Sequence, residues 1–130
     1  MILGTGIDVA EVRRIRAALQ HPRTGARFRV RVFTAGEQAY CERRGVGRYQ
    51  SYAARFAAKE AVMKALGCGW GRHLGWLDVE VVRGDDGRPE VRLHDKGAAF
   101  AATHGVACIH VALTHTAEIA MAQVVVEGRG

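Results

Sequence analysis

The chain has 130 residues and is 48% apolar, enough for one domain with one core. It contains no run of about 18 apolar residues and no charged leader ahead of an apolar stretch, which excludes a transmembrane helix and a signal peptide. Net charge is +6, and residues 11–59 carry 12 basic and 3 acidic side chains. Such one-sided charge suits an anionic partner: nucleic acid, a phosphate ligand or an acidic protein.

Taken in order, Met1 to Val9 reads as a strand, with Leu3, Ile7 and Val9 on one face and Ile2, Gly4, Gly6 and Asp8 on the other. The two glycines leave room for a ligand or a helix to approach the backbone. Asp8 and Glu11 have capping-box spacing, so Asp8 is read as the N-cap of a helix over Val9–Leu19. That helix buries Val12, Ile15 and Leu19 and turns Arg13 and Arg14 away. Residues 20–32 read as a basic connector interrupted by Pro22 and Gly25. Thr34, with Glu37 three residues on, caps a helix that runs to about Arg43.

Gly45 and Gly47 precede the most informative stretch, Ser51 to Leu66. It is Ala-rich and free of Pro and Gly, and it is apolar nearly all round, so it predicts a buried helix. Arg55 and Lys59 share one side of it; Glu60 and Lys64 share another. Gly67 is placed as its C-terminal cap. A hairpin follows, with Leu77–Val82 and Glu90–Leu93 joined by Asp85-Asp86-Gly87, then a short helix over Asp95–His104. Val106–Thr114 and Ile119–Val126 are the last strands, apolar enough to lie centrally or in a subunit contact. The element order predicts an α+β domain over residues 1–130 with a mainly antiparallel sheet packed against the long buried helix.

The three cysteines (Cys41, Cys68, Cys108) include no CxxC, which suits reduced thiols in a cytoplasmic protein. Zinc spacings are missing as well: there is no HxxxH and no Cys pair among the six His and three Cys. Asp8 and Glu60 instead suit Mg²⁺, which takes one or two carboxylates and leaves its other positions to water and substrate phosphate. Lys64, one turn beyond Glu60, is placed to reach such a phosphate. Arg55 and Lys59 are candidates for a second one. The alternating glycines Gly67, Gly69 and Gly71 follow a helix, so they do not read as a dinucleotide-binding fingerprint.

The segments GIDVAEVRRI (6–15), FTAGEQAY (33–40), RFAAKEAVMKALG (55–67) and ALTHT (112–116) resemble the holo-(acyl carrier protein) synthases of the 4′-phosphopantetheinyl transferase superfamily. The match runs from Met1 to about Glu127 and is least close at 20–31. The resemblance implies an enzyme that moves the 4′-phosphopantetheine arm of coenzyme A onto a serine of an apo acyl carrier protein, releasing 3′,5′-ADP. It implies Mg²⁺ held by Asp8 and Glu60, and Lys64 as the phosphate-contacting catalytic lysine. Arg55 and Thr114, His115 and Thr116 fall near the nucleotide, and Gly67, Gly69 and Gly71 fall in a loop at the coenzyme A site. Arg13 and Arg14 fall on the carrier-docking helix, and a homotrimer with active sites at subunit boundaries is implied. Ala10 stands where larger members carry a third carboxylate, and Ala112 where Ser is frequent. Neither a nucleic-acid nor a membrane partner is expected, since stacking aromatics are few and the signature helix is buried. The rival readings are a basic nucleic-acid-binding domain and an inactive coenzyme A or carrier-binding module.

Overall fold

The computed structural model describes residues 1–68 and 74–129. Its strands are β1 (Ile2–Glu11), β2 (Val79–Arg83), β3 (Pro89–Leu93), β4 (Val106–His115) and β5 (Ile119–Gly128), and its helices are α1 (Val12–Gln20), α2 (Gly25–Val32), α3 (Ala35–Arg43), α4 (Arg48–Leu66) and α5 (Asp95–Thr103). The architecture is α+β. β1, β5 and β4 form one antiparallel sheet in that order, while β2 and β3 pair as a separate antiparallel hairpin.

α4 occupies the centre, as its all-round apolar sequence predicts. Tyr52, Ala53, Ala57, Ala58, Ala61 and Val62 are fully buried, and the helix packs on β5, whose Ala120, Ala122, Val124 and Val126 are buried as well. Small side chains on both surfaces bring helix and sheet close together. A Cβ added at Gly4 would lie 2.0 Å from the Ala65 carbonyl oxygen, and one at Gly6 would lie 2.0 Å from that of Ala61. The approach anticipated at these glycines is therefore made by α4.

Three local expectations need correction. Asp8 does not cap α1: β1 continues through it to Glu11, opposite Ala122 of β5, and Glu11 takes the N-cap position with no side-chain bond. Pairing with β5 outweighs the local capping signal. Residues 25–32 are helical, not a connector, because Val32 and Phe28 find apolar neighbours around Phe33 and Phe56. α4 begins three residues before Ser51, directly after the turn at Gly45–Gly47. The two faces of β1 also differ in burial: Ile7 (55% exposed) and Val9 (50%) face outward while Gly6 and Ala10 are buried, so the more apolar side of β1 is the exposed one. Ile119 and Met121 of β5 extend that exposed apolar surface.

Gly67 does cap α4. It adopts φ 72°, and its N–H and that of Cys68 close onto Lys64 and Met63.

Because the atom facing Gly6 is backbone, Gly6→Ala cannot be relieved by a side-chain rotation. We expect a loss of about 2–3 kcal/mol or more in urea unfolding. Gly47→Ala, whose added Cβ meets nothing within 4 Å, should keep the wild-type midpoint.

Candidate active site

Two groups of functional side chains leave α4 on different sides. Arg55 and Glu60 are five residues apart, about 140° around the helix axis, and Lys64 lies about 180° from Arg55.

On the first side, the Lys64 ammonium donates to Asp8 Oδ1 at 2.8 Å and to the Ile7 carbonyl at 3.0 Å. This contact needs the close passage of β1 over α4, so it follows from Gly4 and Gly6. The Asp8 hydrogen bond holds the Lys64 ammonium above the usual lysine range; partial desolvation opposes this, and the charges of Asp8 and Glu60 reinforce it. Both carboxylates therefore act on the same ammonium. The donor set is ionised oxygen with a cation already drawn to it, which fits the hard-ligand preference of Mg²⁺.

On the second side, α4 faces a cleft of about 230 Å³ lined by Tyr40, Arg44, Ser51, Arg55, Arg83 and His115, among others. The Arg55 guanidinium sits 4.0 Å from the centroid of the Tyr40 ring, with those of Arg83 at 5.6 Å and Arg44 at 6.0 Å. Three guanidiniums thus surround one aromatic ring, and no carboxylate among the described residues lines the cleft. Arg55 is 6% exposed; among the described residues its Nε has no hydrogen-bond partner, and its Nη1 makes a 3.5 Å contact to the Ser51 carbonyl. A buried guanidinium with donors to spare fits an incoming phosphate.

The remaining sequence candidates are placed as follows. His115 joins the cleft from the end of β4. Thr114 is exposed and alternates to the opposite face of the sheet. Thr116 builds the β4–β5 turn, its Oγ1 accepting from the Glu118 and Ile119 N–H groups. Gly67 ends α4 near Lys64, and Gly69 and Gly71 lie outside the described residues. Arg13 and Arg14 are exposed on α1, and Arg14 borders a groove of about 220 Å³ with Ile15, Phe28 and Phe56.

Lys59 is not a phosphate ligand. It is fully buried, with its Nζ 2.8 Å from Glu37 Oε1, and it also donates to the carbonyls of Trp76 and Val79. Burial pushes this lysine below its usual range, and Glu37 opposes the shift. Tyr40, Arg44 and Arg83 were not singled out as ligands from the sequence. Their convergence depends on α3 meeting the hairpin, which no local spacing encodes.

A family model described as the 4′-phosphopantetheinyl transferase superfamily matches residues 4–122. A holo-[acyl-carrier-protein] synthase of Solibacter usitatus is 46% identical over 127 residues, covering 98% of this chain and 99% of its own. One from Anaeromyxobacter sp. (strain K) is 50% identical over 131 residues, covering 100% and 99%. Among solved structures, a Bacillus anthracis holo-(acyl-carrier-protein) synthase in complex with CoA (3′,5′-ADP) superposes with a TM-score of 0.80 at 34% identity, covering 99% of each chain.

The Lys64–Asp8 contact has a titration signature. Asp8→Asn should lower the Lys64 midpoint toward the ordinary lysine value, read by NMR of its ε-carbon. A folded-state pKa raised by Asp8 stabilises the fold below the unfolded value and loses that effect as pH rises through the folded value. Wild type should therefore lose more stability than Asp8→Asn on moving into the alkaline lysine range.

Proposed function

The chain belongs to the 4′-phosphopantetheinyl transferase superfamily, and on that premise we propose that it is a holo-[acyl-carrier-protein] synthase. In this reading it transfers 4′-phosphopantetheine from coenzyme A to a serine hydroxyl of an apo acyl carrier protein and releases 3′,5′-ADP. The observation that carries the proposal is that α4 places a carboxylate group with its lysine (Asp8 and Glu60 with Lys64) on one side and a tri-arginine cleft (Arg44, Arg55, Arg83) on another. Coenzyme A presents matching groups, a diphosphate and a 3′-phosphate.

Asp8 and Glu60 would hold Mg²⁺, whose charge would offset that of the diphosphate. The serine O–H bond breaks, its proton passing to solvent, as the serine oxygen forms the new bond to the phosphorus that carries the pantetheine arm; the bond from that phosphorus to the bridging oxygen breaks, leaving 3′,5′-ADP. Phosphoryl transfer asks the protein mainly for positioning and charge stabilisation. Lys64, kept cationic by Asp8, supplies positive charge beside the reacting diphosphate. Arg55, with Arg44, Arg83 and His115, binds the 3′-phosphate and fixes the nucleotide.

Within one chain these two groups face away from each other across α4. One coenzyme A would meet both kinds of group if the cluster of one copy faced the cleft of the next. The exposed apolar side of the sheet, with Ile7, Val9, Ile119 and Met121, supplies a surface for such an assembly. A homotrimer is the assembly proposed. The carrier protein, acidic in this reading, would dock on α1 at Arg13 and Arg14, with the groove beside Phe28 and Phe56 for its apolar contacts. No described helix is long and apolar enough to cross a membrane; a cytoplasmic setting is proposed.

The direct test is mass spectrometry of an apo acyl carrier protein incubated with this chain, coenzyme A and Mg²⁺. The carrier should gain one phosphopantetheine. Asp8→Ala and Glu60→Ala should each remove most of that activity while leaving the fold intact, and full activity in both would refute the metal assignment.

The cleft makes a separate prediction. Arg55→Ala should raise KM for coenzyme A by about ten-fold or more, equivalent to a lost contact of ~1.4 kcal/mol. It should change KM for 3′-dephospho-coenzyme A far less. Equal effects on both substrates would place the 3′-phosphate elsewhere.

A further inference from the structure

β4 and β5 carry a second cluster of ligand-type side chains, on the outward face of the sheet and away from the Asp8 group. Cys108 and His110 are two residues apart on β4, so they share a face, and Glu127 is the register partner of Cys108 on β5. Glu127 lies five residues along β5 from Ala122, the partner of Asp8, a separation of about 17 Å. Cys108 Sγ is 3.2 Å from His110 Nε2 and 3.3 Å from Glu127 Oε1, and His110 Nε2 is 2.8 Å from Glu127 Oε1. All three ligand atoms therefore lie within one small triangle.

We propose that Cys108, His110 and Glu127 form a binding site for a borderline divalent cation, zinc in particular, separate from the Asp8–Glu60 carboxylates. The geometry suits the ion. Ordinary Zn–S, Zn–N and Zn–O bonds at tetrahedral angles set the ligand atoms about 3.4–3.6 Å apart. Opening the observed triangle by about 0.3–0.6 Å requires only rotation of side chains that are exposed in the single chain. One sulfur, one imidazole nitrogen and one carboxylate oxygen favour zinc over Mg²⁺, which prefers oxygen alone. The fourth position is left to water.

The proton balance is also defined. The thiol donates its proton to Glu127, and this hydrogen bond, with a smaller contribution from burial, raises the thiol above its usual range. Glu127 Oε1 is the common partner of the Cys108 thiol and the His110 ring. On binding, the S–H bond breaks, the Zn–S bond forms and one proton leaves to solvent; the neutral His110 ring carries its proton on Nδ1 instead of Nε2, which frees the Nε2 lone pair for the ion. The bound ion would clasp β4 to β5 at this end of the sheet. The N-terminal ammonium is the nearby positive charge that opposes binding.

Cobalt(II) provides a readout that depends on the thiolate and not on catalysis. The full chain, stripped of metal and kept in excess Mg²⁺, is titrated with Co²⁺ and the sulfur-to-cobalt charge-transfer absorption is followed. The band should saturate at about one Co²⁺ per chain and vanish when Zn²⁺ is added. It should be absent in Cys108→Ser and unchanged in Cys68→Ser. Asp8→Ala should also keep it, since that cluster offers only oxygen. Cys41 is sealed in the core, where burial pushes its thiol up to about 12, so it does not compete. His110→Ala should weaken Zn²⁺ binding by more than about ten-fold. Absence of the band in wild type, or a band of equal strength in Cys108→Ser, overturns the proposal.

Discussion

The buried pair of Lys59 and Glu37 is the contact on which the arrangement of this molecule depends. Glu37 accepts the Thr34 N–H and the Lys59 ammonium on Oε1, and the Val81 N–H on Oε2, while its own N–H completes the capping box with Thr34 Oγ1. Lys59 adds the carbonyls of Trp76 and Val79. Four backbone groups, from the start of α3, the turn before β2 and β2 itself, thus meet at the two charges. Such a pair adds little net stability against a well-packed apolar substitute, but losing one partner costs ~3–5 kcal/mol because the other charge is left buried. Its contribution is to fix position. Tyr40 lies one turn beyond Glu37, Arg55 one turn before Lys59, and Arg83 two residues beyond Val81. Locking α3, α4 and β2 together brings these three to one cleft.

A second constraint acts across α4, and it is steric. Ala61 and Ala65 meet Gly4 and Gly6 with no side chain between them, which lets β1 run close enough for Asp8 to reach Lys64. A larger residue at either glycine would lift the strand and separate the carboxylate from the ammonium. The ion pair thus sets the anion cleft, and the glycine–alanine contact sets the oxygen-donor cluster. Both depend on α4 being central and almost wholly apolar, so the few charged groups it carries have defined partners or defined exits.

Much of this was legible in the sequence. The all-round apolar pattern identified α4 as buried, the capping box at Thr34 and Glu37 is present as expected, and Gly67 ends the helix in the left-handed conformation. The readings that differ are those settled by tertiary contact. Asp8 has the spacing of a cap, but pairing with β5 keeps it in a strand. Residues 25–32 look like a linker because three arginines dilute their apolar pattern, and Phe28 and Val32 suffice to dock them. Lys59 looked available to ligand because its partner Glu37 is 22 residues away. The cluster of Cys108, His110 and Glu127 escapes spacing rules built on pairs of Cys or His on one segment. Two of its members alternate along a strand and the third comes from the next strand, so only the register brings it together.

The outward face of β1 follows from the same logic. Alternation assigns Leu3, Ile7 and Val9 to one side, and hydrophobicity alone would turn that side inward. Packing does the reverse, because only the glycine side lets α4 approach closely enough to bury its alanines. An apolar surface is thereby left on the sheet, continued by Ile119 and Met121. In the proposed reaction a single coenzyme A needs both a cluster for its diphosphate and a cleft for its 3′-phosphate. One chain displays these on opposite sides of a buried helix, and joining them within that chain would mean passing through its core. Association through the exposed sheet face would let neighbouring copies supply one each. The residue choice that allows β1 to contact α4 would then also be what commits the protein to assembly.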